Sequence, residues 1–138
     1  MRITTTIGLP EQAREIRTEV FVQEQGFREE FDTLDDKALH ILLWDGDHAV
    51  ATCRILTGAD GNYLIGRIAV RRVYRGRQIG AELMRVAEQA ILRLGGREIR
   101  VHAQCRAQEF YRKQGYRPFG ACDEEEGCPH VWMEKYLI

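Results

Sequence analysis

No stretch of this chain approaches the ~20 consecutive apolar residues that a membrane helix needs. The opening residues, M-R-I-T-T-T-I-G, hold no signal-peptide hydrophobic region, so the expectation is a cytoplasmic protein with no membrane contact. Charge of one sign is also missing. The formal net charge is −1, which argues against a strongly basic nucleic-acid binder. There is no C-x-x-C pair, and the cysteines Cys53, Cys105, Cys122 and Cys128 read as free thiols. Cys122, Cys128 and His130 fit none of the usual zinc spacings. A metal-dependent fold built on them is the weakest of three readings, and no metal is expected. G-x-x-x-x-G-K-[ST] and G-x-G-x-x-G are both absent, which removes the Walker A loop and the dinucleotide fingerprint. No repeat, linker or low-complexity segment interrupts the chain, so residues 1–138 are expected to form one domain.

What is present is ordinary globular material. The chain has 138 residues, 44% hydrophobic and 30% charged, enough to bury roughly two-thirds of its unfolded surface. Residues 1–7 read as a strand and 10–25 as a helix stopped by Gly26. An acidic segment, F-R-E-E-F-D-T-L-D-D-K-A, reads as a loop with one helical turn. Three strands follow at 39–44, 48–56 and 63–70, the first two joined by the hairpin signal Asp45-Gly46-Asp47. A helix over 77–94 ends at Gly95-Gly96. A strand over 98–103 should lie parallel to the 63–70 strand through a right-handed crossover. A short helix over 107–114, a brief strand over 116–120, an acidic turn over 123–127 and a last strand over 129–137 complete the chain. An exposed final strand could pair with a second copy.

The centre of interest is I-A-V-R-R-V-Y-R-G-R-Q-I-G-A-E-L, from Ile68 to Leu83. A strand feeds a cationic glycine loop, and the loop feeds a helix. Unpaired N–H groups at a helix start, glycine's close backbone approach and the arginines Arg71, Arg72, Arg75 and Arg77 together suit a diphosphate.

This order of elements, with V-Y-R-G-R-Q-I-G-A-E-L-M at its centre and Q-C-R-A-Q-E-F-Y-R-K-Q-G-Y near its end, resembles the GNAT family of acyl-CoA-dependent N-acyltransferases over essentially the whole chain. The first segment is similar to the family's pyrophosphate loop [RQ]-x-x-G-x-[GA], with Arg75 first and Gly80 last. Gln78 stands where glycine is usual, and a non-glycine residue there bars an easy positive φ. The second resembles the segment ending F-Y-x-x-x-G-[FY]. V-F-V-Q-E-Q, D-T-L-D-D, His40, G-R-I-A-V and H-V-W-M are similar to the small ElaA-type members.

The resemblance implies an α/β (α+β) single-domain GNAT-like fold. Its mixed central sheet would have about six to seven strands flanked by helices, with two parallel central strands splayed apart. It implies acetyl-CoA as cosubstrate and a small-molecule or peptide amine as acceptor. Backbone groups of Ile68, Ala69 and Val70 would flank the pantetheine arm, and the N–H groups from Arg75 through Gly76, Arg77, Gln78 and Ile79 to Gly80 would hold the pyrophosphate. Gln104 stands where asparagine is frequent, and Tyr111 stands at the general-acid position. The base stays open among Glu24, His40 and His130. Arg54 and Arg67 could meet Asp32, Asp35 or Asp36, or could bind an acceptor carboxylate. A non-catalytic acyl-CoA sensor is the alternative to an enzyme.

Overall fold

The computed structural model describes residues 1–138. Its strands follow the order β1-β2-β3-β4-β5-β7-β6 in a seven-stranded mixed sheet. The ranges are β1 Arg2–Ile7, β2 Leu39–Asp45, β3 His48–Thr57, β4 Tyr63–Val70, β5 Glu98–Gln104, β6 Arg117–Glu125 and β7 Cys128–Tyr136, with helices α1 Glu11–Arg17, α2 Ile79–Arg93 and α3 Gln108–Lys113. β4 and β5 run parallel, with Tyr63 beside Ile99 and Leu64 beside Arg100, as the crossover argument requires. The chain gathers into two compact units, Met1–Leu56 with Ile65–Ala87, and Thr57–Leu64 with Glu88–Ile138.

In the first unit the strands from β1 to β3 pair antiparallel. Ala13, Ile16, Val20 and Phe21 repeat at helical spacing, and they form one buried cluster with Leu42, Ala49 and Ala69. The helix expected over 10–25 is not uniform. After Arg17 it widens into a π-helical segment, Thr18–Glu24, before Gly26 turns at φ 79°. Hydrophobic spacing does not foresee that widening, which begins next to Arg17, only 1% exposed.

Arg17 reaches the acidic segment. Its Nε donates to Glu30 Oε2 at 2.8 Å and its Nη1 to Asp35 Oδ1 at 2.8 Å. Arg54 of β3 donates to Asp32 Oδ1 at 2.7 Å and to Asp35 Oδ1 at 3.0 Å. Arg67 of β4 donates to the Glu30 carbonyl at 3.1 Å and lies 3.1 Å from Glu30 Oε2. Asp32 caps a 3₁₀ turn, Thr33–Asp36, through a reciprocal capping box with Asp35. The segment expected as a solvated loop is therefore fastened to α1, β3 and β4. Buried charges persist only when paired and hydrogen-bonded, and here each arginine meets a carboxylate.

In the second unit, Ile99, Val101 and Ala103 alternate into the interior. Val101 lies opposite Met133 and Ala103 opposite Val131, both buried. α2 ends where Gly95 turns at φ 87°. Gly96 next to it leaves no room for a side chain, since a Cβ there would lie 2.5 Å from the Tyr63 ring and 2.6 Å from Ile91. The acidic run expected as a turn over 123–127 is instead the end of β6, and the chain reverses at Glu126 (φ 49°) and Gly127 (φ 77°). Alternation of polar residues on an exposed strand carries no hydrophobic signal, which is why the run reads as a turn.

Burial pushes the Asp35 carboxyl upward, but hydrogen bonds and charge from Arg17 and Arg54 outweigh it and hold the group at about 2. A folded-state value below the ordinary carboxylate value of ~3.9 gives stability that is present above that value and lost as pH falls. Burial raises Glu30 against its arginines, so Glu30 contributes with the opposite sign. Urea unfolding should therefore show stability falling between about pH 4 and pH 2. Asp35→Asn should lose about 3–5 kcal/mol at pH 6, the cost of leaving buried arginines short of a partner, and should flatten the acid limb.

Candidate active site

The junction between β4 and α2 lies wholly in the first unit. Within β4, Arg67 takes φ 53°. This is left-handed backbone in mid-strand, of the kind that persists only where surroundings impose it. The contacts of Arg67 with Glu30 and with Asp32, at 3.5 Å, are such surroundings. Beyond it, Ala69 is buried while Ile68 and Val70 are partly exposed. A 3₁₀ turn, Arg72–Tyr74, then leads to Gly76 at φ 80° and Gln78 at φ 63°. Glutamine at position 78 thus adopts the conformation that its side chain disfavours, contrary to the expectation that its presence bars it. The Glu82 N–H donates to the Gln78 carbonyl at 3.1 Å as α2 begins. The N–H groups of Ile79, Gly80 and Ala81 precede that first helical bond and have no intrahelical acceptor.

The arginines of this loop are already engaged. Arg75 donates from Nε to the Val70 carbonyl at 2.9 Å and from Nη2 to Glu24 Oε2 at 2.7 Å. Arg77 lies over the Tyr74 ring, 5.3 Å from its centroid, and Tyr74 in turn donates to Asp45 at 3.0 Å. Arg71 donates to the Ala49 carbonyl at 2.8 Å and lies 3.3 Å from Glu19. The loop is held from the side, and its backbone amides are what it offers to an anion.

Two of the base candidates are engaged by protein partners here. The hydrogen bond from Arg75 holds the Glu24 carboxyl below its usual range, helped by the charges of Arg75 and Arg72, so Glu24 anchors the loop and is poorly suited to take a proton. His40 is buried, and its Nε2 donates to the Asp35 carbonyl at 2.9 Å. Burial lowers its pKa, so it stays neutral as part of the acidic segment's fastening. Arg54 and Arg67 meet Asp32, Asp35 and Glu30, which answers the open question of their partners and removes them as carboxylate receptors. Asp36 does not join them.

The second unit holds the remaining candidates. Gln104 ends β5 opposite His130, and its side-chain oxygen accepts from Arg106 Nε at 2.7 Å. Tyr111 is buried on α3, its ring edge-on to Phe110 and Tyr116 at 5.0 and 6.1 Å. α3 is anchored through Tyr116, which donates to Glu88 at 2.8 Å, and through Lys135, which bonds Glu88 at 2.9 Å and the Gln114 carbonyl at 2.8 Å. His130 starts β7 and is 4% exposed. Its Nδ1 lies 2.7 Å from the Cys128 carbonyl. A carbonyl only accepts, so Nδ1 carries the hydrogen and Nε2 of the neutral ring keeps a lone pair.

Sequence reasoning missed the company that His130 keeps. His102 stacks between His130 and Trp132, with centroids 4.6 Å apart in both pairs. Asp123 of β6 lies opposite His130 of β7 and bonds His102 Nε2 at 2.8 Å. The alternation of β5 already puts His102 on the face opposite Val101, but only the pairing of β5, β7 and β6 reveals who shares that face. The structure does not bring Cys122 into a metal cluster with Cys128 and His130. The group with ligand spacing is His102, Glu125 and His130.

The acetyltransferase (GNAT) domain family matches residues 8–137. The chain belongs to the GNAT acetyltransferase family. Among its relatives, the protein ElaA of Escherichia coli is 33% identical over 130 residues, which cover 90% of this chain and 85% of ElaA. The N-acetyltransferase YjcF of Bacillus subtilis is 34% identical over 123 residues, covering 87% of each. An acyl-CoA N-acyltransferase structure from Pseudomonas aeruginosa superposes with TM-score 0.86 at 28% identity, covering 98% of this chain and 99% of that one. This chain is thus a GNAT acyl-CoA-dependent acetyltransferase enzyme of ElaA-like type, and the parallel β4–β5 pair belongs to that fold.

Left-handed backbone costs a side-chain-bearing residue about 1–2 kcal/mol, while glycine's extra unfolded-state entropy returns roughly 0.5–1 kcal/mol of any gain. Gln78→Gly should therefore raise the unfolding free energy by up to about 1 kcal/mol, read from the urea midpoint at constant m-value.

Proposed function

We propose that this enzyme transfers an acetyl group from acetyl-CoA to a primary amine of a small molecule or protein. The observation that carries the reading is the β4–loop–α2 junction, where positive φ at Gly76 and Gln78 precedes the free amides at the start of α2. In this reading the amides from Arg75 to Gly80 hold the pyrophosphate, and Ile68, Ala69 and Val70 pair with the pantetheine arm as though it were an added strand. The sensor alternative drew its support from Gln78, and Gln78 takes the conformation a glycine would supply.

An amine must be neutral to attack, although a free lysine amine titrates near ~10.4. His130 Nε2 is the base in this reading, since its lone pair is fixed by the bond on Nδ1. The amine nitrogen attacks the thioester carbonyl, forming the C–N bond and breaking the C–S bond. The amine proton passes to His130 Nε2, and the Tyr111 hydroxyl protonates the departing thiolate. Gln104 helps to hold the cofactor's thioester end.

Acetyl-CoA turnover on a panel of primary amines tests this directly. Tyr111→Phe should lower kcat by about 10²–10⁴-fold, the usual worth of general acid catalysis, with little change in acetyl-CoA affinity. Unchanged turnover in that variant removes Tyr111 from the mechanism.

A further inference from the structure

The chain has four cysteines, and they differ in reach. Cys53 is buried, and burial pushes its thiol up to about 12, which makes it inert. Cys128 is half-buried, with its Sγ 3.9 Å from the Pro129 carbonyl. Cys105 is half-buried and Cys122 is exposed, and these two side chains meet. A thiolate charge at Cys105, and a hydrogen bond between the two sulfurs, raise the Cys122 thiol above its ordinary pKa. Contact and solvent access together distinguish this pair from the other two thiols.

Both cysteines lie where the second unit's sheet is irregular. β5 and β6 flank β7 and run antiparallel to it, and Gln104 of β5 and Asp123 of β6 stand opposite the same residue, His130. Cys105 follows Gln104 directly, and Cys122 directly precedes Asp123. β6 shifts register between Phe119 and Asp123, with Gly120 at φ 74°. A bulge of this kind re-aims the side chains within it, and Cys122 is one of them. β5 ends at Gln104, so Cys105 opens a 3₁₀ turn, Cys105–Ala107. Neither cysteine is held in a regular ladder, and the backbone at both can follow a new covalent bond.

The 3₁₀ turn runs straight into α3, which carries Tyr111. Tyr116 and Lys135 anchor the far end of that helix through Glu88. A bond between Cys105 and Cys122 ties its near end to β6. A covalent bond holds two sulfurs closer than a hydrogen bond does, so the turn moves toward β6, and Gln104 before it and α3 after it move with it.

We propose that Cys105 and Cys122 are a redox-modification site, closed to an intramolecular disulfide by a low-molecular-weight disulfide, and that the closed form restrains α3 and slows acetyl transfer. The Cys105 thiolate attacks one sulfur of the oxidant, forming a mixed disulfide and releasing the first thiolate. The Cys122 thiolate then attacks Cys105 Sγ, which forms the protein disulfide and releases the second. The two cysteine protons pass to the released thiolates. The protein gives up two electrons, and the oxidant is reduced to two thiols. An excess of thiol reductant reverses both steps. The effect on turnover rests on the acetyltransferase reading, and the disulfide itself does not.

The test equilibrates the full chain with glutathione disulfide or with dithiothreitol. Remaining thiols are alkylated in denaturant and counted by mass spectrometry, and acetyl-CoA turnover on a panel of primary amines is measured on the same samples. Oxidation should join two thiols within the chain in the parent protein and in Cys128→Ser. Cys122→Ser should form no internal disulfide, and its fold and reduced turnover should match the parent. In the oxidised parent kcat should fall about 10–10²-fold, the cost of misplacing a catalytic group by about 1 Å, and dithiothreitol should restore it. Retention of all thiols, a reaction that stops at glutathione adducts, or an internal disulfide that survives Cys122→Ser overturns the proposal. So does a disulfide that leaves kcat unchanged. If the reduced protein acetylates no amine, the transfer reading fails, and the thiol count alone decides the site.

Discussion

One carboxylate, Asp35, accepts hydrogen bonds from two buried arginines that arrive from different elements, Arg17 from α1 and Arg54 from β3. Removed from water, each guanidinium needs its carboxylates, and Glu30 for Arg17 and Asp32 for Arg54 complete the set. The pairing makes the acidic segment an internal strut. Glu30 on the same segment meets Arg67 in β4, at the residue where that strand departs from regular geometry. The irregular strand, the loop after it and the helix start therefore inherit their positions from a charge network rather than from apolar packing alone. Glu24 extends the same logic at the surface by fixing Arg75.

This arrangement changes what the basic loop means. In a sequence, four arginines beside two glycines look like charge waiting for phosphate. In the structure Arg75, Arg77 and Arg71 have protein partners, and the main-chain amides at the start of α2 are left without an intrahelical acceptor. Backbone donors fixed by left-handed residues need no reorganisation on binding, which is the economy of any anion nest. Side-chain charge then shapes the loop and sets the local field.

The strands, their parallel pair and the crossover were legible because β-branched runs, glycine punctuation and the handedness rule act locally. The strut was not, because nothing in F-R-E-E-F-D-T-L-D-D distinguishes a solvated acid from one that crosses to Arg17 or Arg54. Glu24 and His40 looked usable as bases for the same reason: the partners that claim them lie far away in sequence. Gln78 was read through its side-chain preference, and the local preference was overridden by the turn between β4 and α2. His130 was named from the sequence, but His102 joins it only through the pairing of β5 with β7, and Asp123 and Glu125 only through that of β6 with β7, beyond a register shift between Phe119 and Asp123; bulges leave no clear mark in a sequence.

In the proposed reading, main-chain amides between Arg75 and Gly80 grip the cofactor's paired phosphates. Calorimetry comparing CoA with pantetheine, which shares the thiol arm but lacks the phosphates, tests it most directly. CoA should bind at least about a hundredfold more tightly, the sum of two or more charge-assisted hydrogen bonds. Equal affinity for the two ligands would contradict it.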